Sequence, residues 1–332
     1  MLSAMPRAPQ LYGCLSLILM WGGGCGVRMF GELSGGLCPS AADCPAGETG
    51  DEAADVCEAT QSVFTQISAG QSHTCGLDEA GGVTCWGNNF WGQLSVPSNL
   101  EQVIQVVAGN WHTCVLDVKN TITCWGDTNF GAAFVPDGLG IITQIESGAH
   151  HMCAIDTMGN LSCGGFFTSG QTTVPDGLGA VTQVSAGCYH TCAVDSTGHV
   201  SCWGDDFEGQ TAVPDGLSDI TQVSAGQGHT CALDSTGHVT CWGTDHPGVV
   251  DVPNGLGVIV QVSAGSYHTC VVDTQGEVSC WGSPSVNGET AVPACLGVVT
   301  ELSLGHRNSC ALQEGGQVIC WGVNTFGEND VP

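Results

Sequence analysis

The sequence predicts an all-β fold, a seven-bladed β-propeller with about three strands per blade and one disulfide in each blade. Three observations carry that expectation. A unit of 39 residues recurs seven times from about residue 60. Every unit holds two cysteines ten residues apart. Every unit also reads as short alternating strands punctuated by glycine and proline turns.

The unit is plainest in two copies. Residues 183–204 read QVSAGCYHTCAVDSTGHVSCWG, and residues 222–243 read QVSAGQGHTCALDSTGHVTCWG. The first cysteine falls at Cys75, Cys114, Cys153, Cys192, Cys231, Cys270 and Cys310, in steps of 39 and finally 40. The second falls at Cys85, Cys124, Cys163, Cys202, Cys241, Cys280 and Cys320. A proline closes each unit, from Pro97 to Pro332.

Between the cysteines lies a turn. Three residues after the first cysteine comes an Asp in six copies, Gln313 in the last. Six residues after it stands Gly, or Asn120 in the second copy. Gly and Asn best tolerate a left-handed backbone, so this is a three-residue hairpin loop ending in one αL residue. That register puts the two cysteines opposite one another, at a separation a disulfide accepts. The chain-entropy model gives each bridge about 2.7 kcal/mol. Zinc is the other use of paired cysteines, but two without partners make a poor site.

Both faces of the hairpin are apolar, so both need covering. The cysteines and a Leu or Val share one face; Ala, Thr or Ser, and the Trp after the second cysteine share the other. Stacking each sheet between copies of itself meets that need. A solenoid is the runner-up and would need polar caps.

The segments before the repeats differ in kind. Arg7 precedes an apolar stretch, Leu11 to Trp21, and small residues lead to Cys25. This is the layout of an export signal over residues 1–25, and its apolar run is too short to span a bilayer comfortably. Cys25 also resembles a bacterial lipoprotein site, making it a lipidation candidate and a route to membrane attachment. Plain secretion is the alternative. Residues 26–59 read as a linker holding Cys38, Cys44 and Cys57, and residues 60–332 form the propeller domain. The pairing of those three with Cys188 and Cys295 stays open.

Composition excludes some functions. The chain has 21 cysteines, which a reducing compartment would not keep as disulfides. It has 4 basic against 32 acidic residues and a formal charge of −28. Such a surface repels phosphate, so no nucleic acid is expected as a partner.

The unit G-x-x-H-T-C-A-L-D-x-x-G-x-V-x-C-W-G, with WGNNFWGQL at Trp86–Leu94, resembles the regulator of chromosome condensation repeat family. The resemblance implies seven blades. It also implies protein binding, since the family's nuclear founder promotes guanine-nucleotide exchange on a small GTPase. The short repeat and export signal are more similar to a secreted branch that includes propeller inhibitors of β-lactamases. No catalytic residue transfers, because the shared positions are turn and packing positions.

The recurring His (His73, His112, His151, His190, His229, His268, with Asn308 in the last unit) reads as a residue bonding backbone at a strand start. A seven-fold ring is too wide for a metal. The recurring Asp reads as a turn residue, and the recurring Trp as core. The third unit has Gly164 where the others have Trp, with Phe166 and Phe167 expected to fill the gap.

Function belongs at the positions that vary between units. One set lies between the Gly and the His, the other after the Trp-Gly. Both mix aromatic with polar residues, as interfaces do. The candidate partner-binding residues are Trp91, Trp111, Phe130, Tyr189, Phe207, Tyr267 and Arg307. The reading is an exported, non-enzymatic scaffold in the extracellular space or cell envelope. It binds a protein, or a glycan, and uses no cofactor or metal. The alternative is an exported propeller enzyme, such as a polysaccharide lyase or hydrolase. Nucleotide exchange is a distant third.

Overall fold

The computed structural model describes residues 62–127, 138–166, 168–244, 246–282 and 288–332. The expected export signal, Cys25, the whole linker, Phe130 and Phe167 lie outside them. The described residues form seven antiparallel sheets of three strands, each in simple sequence order. Each sheet is one blade. Blade 5 comprises Ile220–Ala225, His229–Asp234 and Val239–Gly243, termed its inner, middle and outer strands.

The turn chemistry sets the register. In blade 5 the Asp234 carboxylate accepts the amides of Thr236 and His238, at 2.8 and 3.0 Å, and Gly237 takes φ +85°. Asn120 takes φ +65° in blade 2. Cys231 then stands opposite Cys241, and the two are bonded with Cα atoms 4.1 Å apart. All seven blades carry this bridge.

The core lies between blades. The cysteine face of each blade packs on the tryptophan face of the next. Cys231, Leu233 and Val239 of blade 5 meet Ile259, Val262, Val271 and Trp281 of blade 6. Phe64, Ile67, Ala69 and Trp86 of blade 1 meet Cys310, Leu312 and Val318 of blade 7, which closes the ring. Burying these apolar faces is the main drive for assembly.

Polar ladders run across the same seams. The buried His of one blade bonds the Thr or Ser hydroxyl of the next: His190 Nε2 lies 2.9 Å from Thr230 Oγ1. The backbone partner expected for this His is therefore corrected to a side chain of the neighbouring blade. Thr230 donates its own proton to the Gln210 carbonyl, and Trp242 Nε1 donates to that same carbonyl. With the hydroxyl proton spent, His190 Nε2–H must be the donor and Nδ1 is left bare. Burial fits this neutral form, since it lowers His190 to about 4 and His229 to about 3. Gly187 is required here: a Cβ on it would sit 2.5 Å from the Gly226 carbonyl and 2.7 Å from His190.

Blade 3 departs from the pattern. Met152 replaces the Thr, and it stands opposite Gly164 in the strand pair. Met152 is fully buried among the blade 2 residues Cys114, Leu116 and Ile122. Met152, not Phe166, fills the place of the missing tryptophan. Phe166 sits edge-on to His150, 5.9 Å between ring centres.

The inner strands line a central polar channel of about 210 Å³. Its wall carries a tier of Gln side chains, among them Gln105, Gln183 and Gln222. A tier of small residues follows, in which Glu146 of blade 3 takes a place held by serine in most blades.

Candidate interaction face

The two variable sets occupy one face of the disc. Each middle strand starts where the outer strand ends, as His73 opposite Gly87 illustrates. Backbone bonds tie the two loops together: Asp127 N–H to the Trp111 carbonyl, and Asp205 N–H to the Tyr189 carbonyl, each at 2.9 Å. The residues directly after the Gly line the channel mouth, including Gln71, Asn110, Cys188, Gln227 and His306.

Around that mouth runs a chain of rings over blades 1 to 4. Phe90 meets Trp91 at 5.2 Å between centres, Trp91 meets Trp111 at 6.0 Å, and Trp111 meets His150 at 4.8 Å. His150 then reaches Tyr189 at 6.5 Å. The structure thus brings the expected residues Trp91, Trp111 and Tyr189 together, with His150 as the link. The Phe90–Trp91 and Trp111–His150 pairs are edge-to-face and the other two tilted, contacts that hold each ring in place at little entropic cost. Phe90 is 81% exposed and Phe207 74%, an unusual state for phenylalanine in contact with water alone.

A second group sits over blades 5 to 7. Tyr267 lies between His246 and His306, at 5.4 and 5.3 Å. The Arg307 guanidinium carbon stands 5.1 Å from the Tyr267 ring centre, a cation–π arrangement. His306 Nδ1 lies 2.9 Å from Ser266 Oγ, and burial lowers its pKa to about 4. Burial likewise lowers His150, opposed by Asp127. Cys188 faces the channel mouth, and Cys295 lies in the connection from blade 6 to blade 7.

His150, His246, His306, Phe90 and Phe166 were not among the expected binding residues. The signal was present for all five, because His150 and His306 occupy the variable Gly-to-His segment and Phe90, Phe166 and His246 the variable segment after the Trp-Gly position. Acidic side chains flank the rings: Asp206 and Glu208 are exposed on the loop that carries Phe207. Arg307 and Lys119 are the only basic residues other than His among the described residues, and Lys119 pairs with Glu101. Also among the described residues, no three His, Cys, Asp or Glu side chains gather as a metal site would need.

The regulator of chromosome condensation (RCC1) repeat model matches residues 64–93, 103–132, 181–210, 220–246, 259–289 and 299–328. It passes over the third unit, the one with Met152 and Gly164. No curated protein sequence matches the chain. Among solved structures, the chain is similar to the ectodomain of the receptor kinase CR4 from Physcomitrella patens, at 23% identity and TM-score 0.64, covering 78% of this chain and 73% of that one. It is similar to the CRINKLY ectodomain of the Arabidopsis thaliana receptor kinase ACR4, at 24% identity and TM-score 0.62, covering 80% and 97%. It is also similar to Prp20p from Saccharomyces cerevisiae, at 19% identity and TM-score 0.61, covering 74% and 81%.

Proposed function

Because the chain belongs to the regulator of chromosome condensation repeat family, we propose that it is an extracellular interaction scaffold. It engages a protein partner with the ringed face over blades 1 to 4. The observation that carries this reading is the linked run Phe90–Trp91–Trp111–His150–Tyr189 beside the channel mouth. Rigid aromatics backed by packed neighbours are what anchors of interfaces look like. The formal charge of −28, with acidic residues beside the rings, selects a partner surface rich in Lys and Arg. Seven disulfides suit an oxidising compartment. Prp20p, on the same fold, has binding properties toward Gsp1p and histones, which supports a docking role without naming a partner here. Export, with the chain released or held by a lipid on Cys25, completes the reading.

The test is affinity capture from the source organism's envelope and secreted fractions, with the wild type beside a Trp91→Ala, Trp111→Ala double variant. Loss of an aromatic anchor costs about 2 kcal/mol, some thirtyfold in Kd. The captured protein should therefore disappear with the variant and elute at raised salt. An unchanged capture with the variant overturns the reading, and recovery of carbohydrate alone replaces the protein partner with a glycan.

A further inference from the structure

The glutamine tier of the channel is a clasp between blades. Each Gln side chain reaches the backbone of the next blade's inner strand. Gln183 accepts the Val223 N–H at 2.9 Å and donates its amide to the Val223 carbonyl at 3.1 Å. Gln222 does the same to Val262, at 3.0 and 3.1 Å. Gln261 does so to Leu302, at 2.8 and 3.0 Å. The group needs one acceptor and one donor, and a primary amide supplies both.

In blade 7 this position is Glu301, and the next blade is blade 1. The Glu301 carboxyl accepts the Ile67 N–H. An ionised carboxylate has no proton for the Ile67 carbonyl; a neutral acid has one. We propose that Glu301 makes the seam between blades 7 and 1 a proton-operated clasp, closed when the carboxyl is neutral and released when it loses its proton to water.

The surroundings favour the neutral form. Among the described residues, no cation faces Glu301. The inner strands of blades 1 and 6, Gln66–Ala69 and Ile259–Ala264, carry no ionisable side chain. The blade 7 middle strand Asn308–Gln313 has only the disulfide-bonded Cys310. In the blade 6 middle strand, His268 bonds Ser309 and Asp273 bonds its own turn amides. Among the described residues, the one ionisable group acting on Glu301 is another carboxylate, Glu146. Burial raises Glu301 to about 8, opposed by the bond from the Ile67 N–H and assisted by Glu146, while burial raises Glu146 to about 7. This seam is also the one where Asn308 replaces the ladder His, and neither Asn308 amide atom has a partner among the described residues. The seam keeps the Thr74 and Trp86 bonds to the Glu328 carbonyl but lacks the His rung, so the clasp sits where one rung of the ladder is missing.

The sign follows from linkage. The folded chain holds the Glu301 proton up to about pH 8, whereas an unfolded Glu releases it near 4.5. Stability from the clasp is complete below 4.5 and is lost as pH rises through 8. Melting of the full chain between pH 7 and 9, above the window in which the buried histidines take up protons, tests this. The wild type should lose stability steadily, Glu146→Gln should keep most of that slope, and Glu301→Gln should flatten it and melt higher at pH 8. Hydrogen exchange at the blade 1 inner strand, corrected for intrinsic base catalysis, should rise about tenfold from pH 7 to 9 in the wild type and stay level in Glu301→Gln. In the Glu146→Gln background, an infrared band of a protonated carboxylic acid should persist at pH 7 and vanish when Glu301→Gln is added. A wild-type slope in Glu301→Gln, or absence of that band, overturns the proposal.

Discussion

Blade 4 meets blade 5 through a seam in which His190 bonds Thr230 and the Gln210 carbonyl receives two donors. Blade 2 meets blade 3 through a seam in which His112 Nε2 has no partner among the described residues. Blade 3 supplies neither donor, because Met152 and Gly164 stand in place of the Thr–Trp pair. Yet both seams bury a continuous apolar cluster. The difference teaches which part of the repeat is indispensable. Apolar burial is kept at every seam, whereas the polar ladder can be dropped where a flexible Met sulfur packs on the neighbouring disulfide, 3.7 Å from Cys124 Sγ.

The comparison breaks most sharply if the blade 3 solution is copied into blade 5. Trp242→Gly alone should cost about 4 kcal/mol, from the cavity and the lost bond to Gln210. Adding Thr230→Met should recover at least about 1 kcal/mol of that by refilling the space, although it strands His190. Urea midpoints of the two single variants and the double variant measure the coupling. Strictly additive losses would mean that Met152 and Gly164 do not act as a pair.

Histidine substitutions sharpen the same contrast. His190→Asn should cost about 1 kcal/mol more at pH 7 than His112→Asn, because only His190 gives up a hydrogen bond. Both should reduce acid lability. A buried neutral His with a folded pKa of about 4 at His190, or about 3 at His112, lies below its unfolded value of 6.5. Its contribution is complete above 6.5 and falls as pH drops through that window, by up to about 1.4 kcal/mol per pH unit for one proton. Melting curves from pH 7 to 4 would show it, and equal costs at pH 7 would refute the assignment of an unpartnered His112.

The fold was legible because its determinants are local and repeated. Cysteine spacing, turn Asp and αL Gly fixed the hairpin register, and the two apolar faces required stacking. The interblade bonds were not legible. They join residues about 40 apart, such as His190 and Thr230, and local turn reasoning assigned that His to backbone instead. The filling of the blade 3 gap was missed for a related reason: Met152 and Gly164 are cross-strand neighbours, and only the pair reveals the exchange. The variable positions marked the candidate interaction face, but their meeting on one face, and the ring contacts through His150, depend on blade geometry.

Asn120→Gly should have the smallest effect, and its sign is the informative part. At other seams the turn glycine offers its backbone carbonyl to the next inner strand: Ile220 N–H donates to Gly198 at 3.3 Å, and Ile259 N–H to Gly237 at 3.2 Å. At the seam between blades 2 and 3, the Asn120 side chain does this work. Its Oδ1 accepts the Ile142 N–H at 2.6 Å, and its Nδ2 donates to the Gly140 carbonyl at 3.2 Å. By backbone preference alone, glycine at φ +65° should stabilise the turn by a few tenths of a kcal/mol. The substitution also deletes two bonds, each worth about 1 kcal/mol, and regains at most the one that the backbone carbonyl supplies elsewhere. With that one bond regained the balance is a net loss of a little under about 1 kcal/mol, seen as a lower urea midpoint and faster exchange of the Ile142 amide. A stabilised Asn120→Gly variant would mean that this side chain adds nothing to the seam and that the apolar cluster holds blades 2 and 3 together unaided.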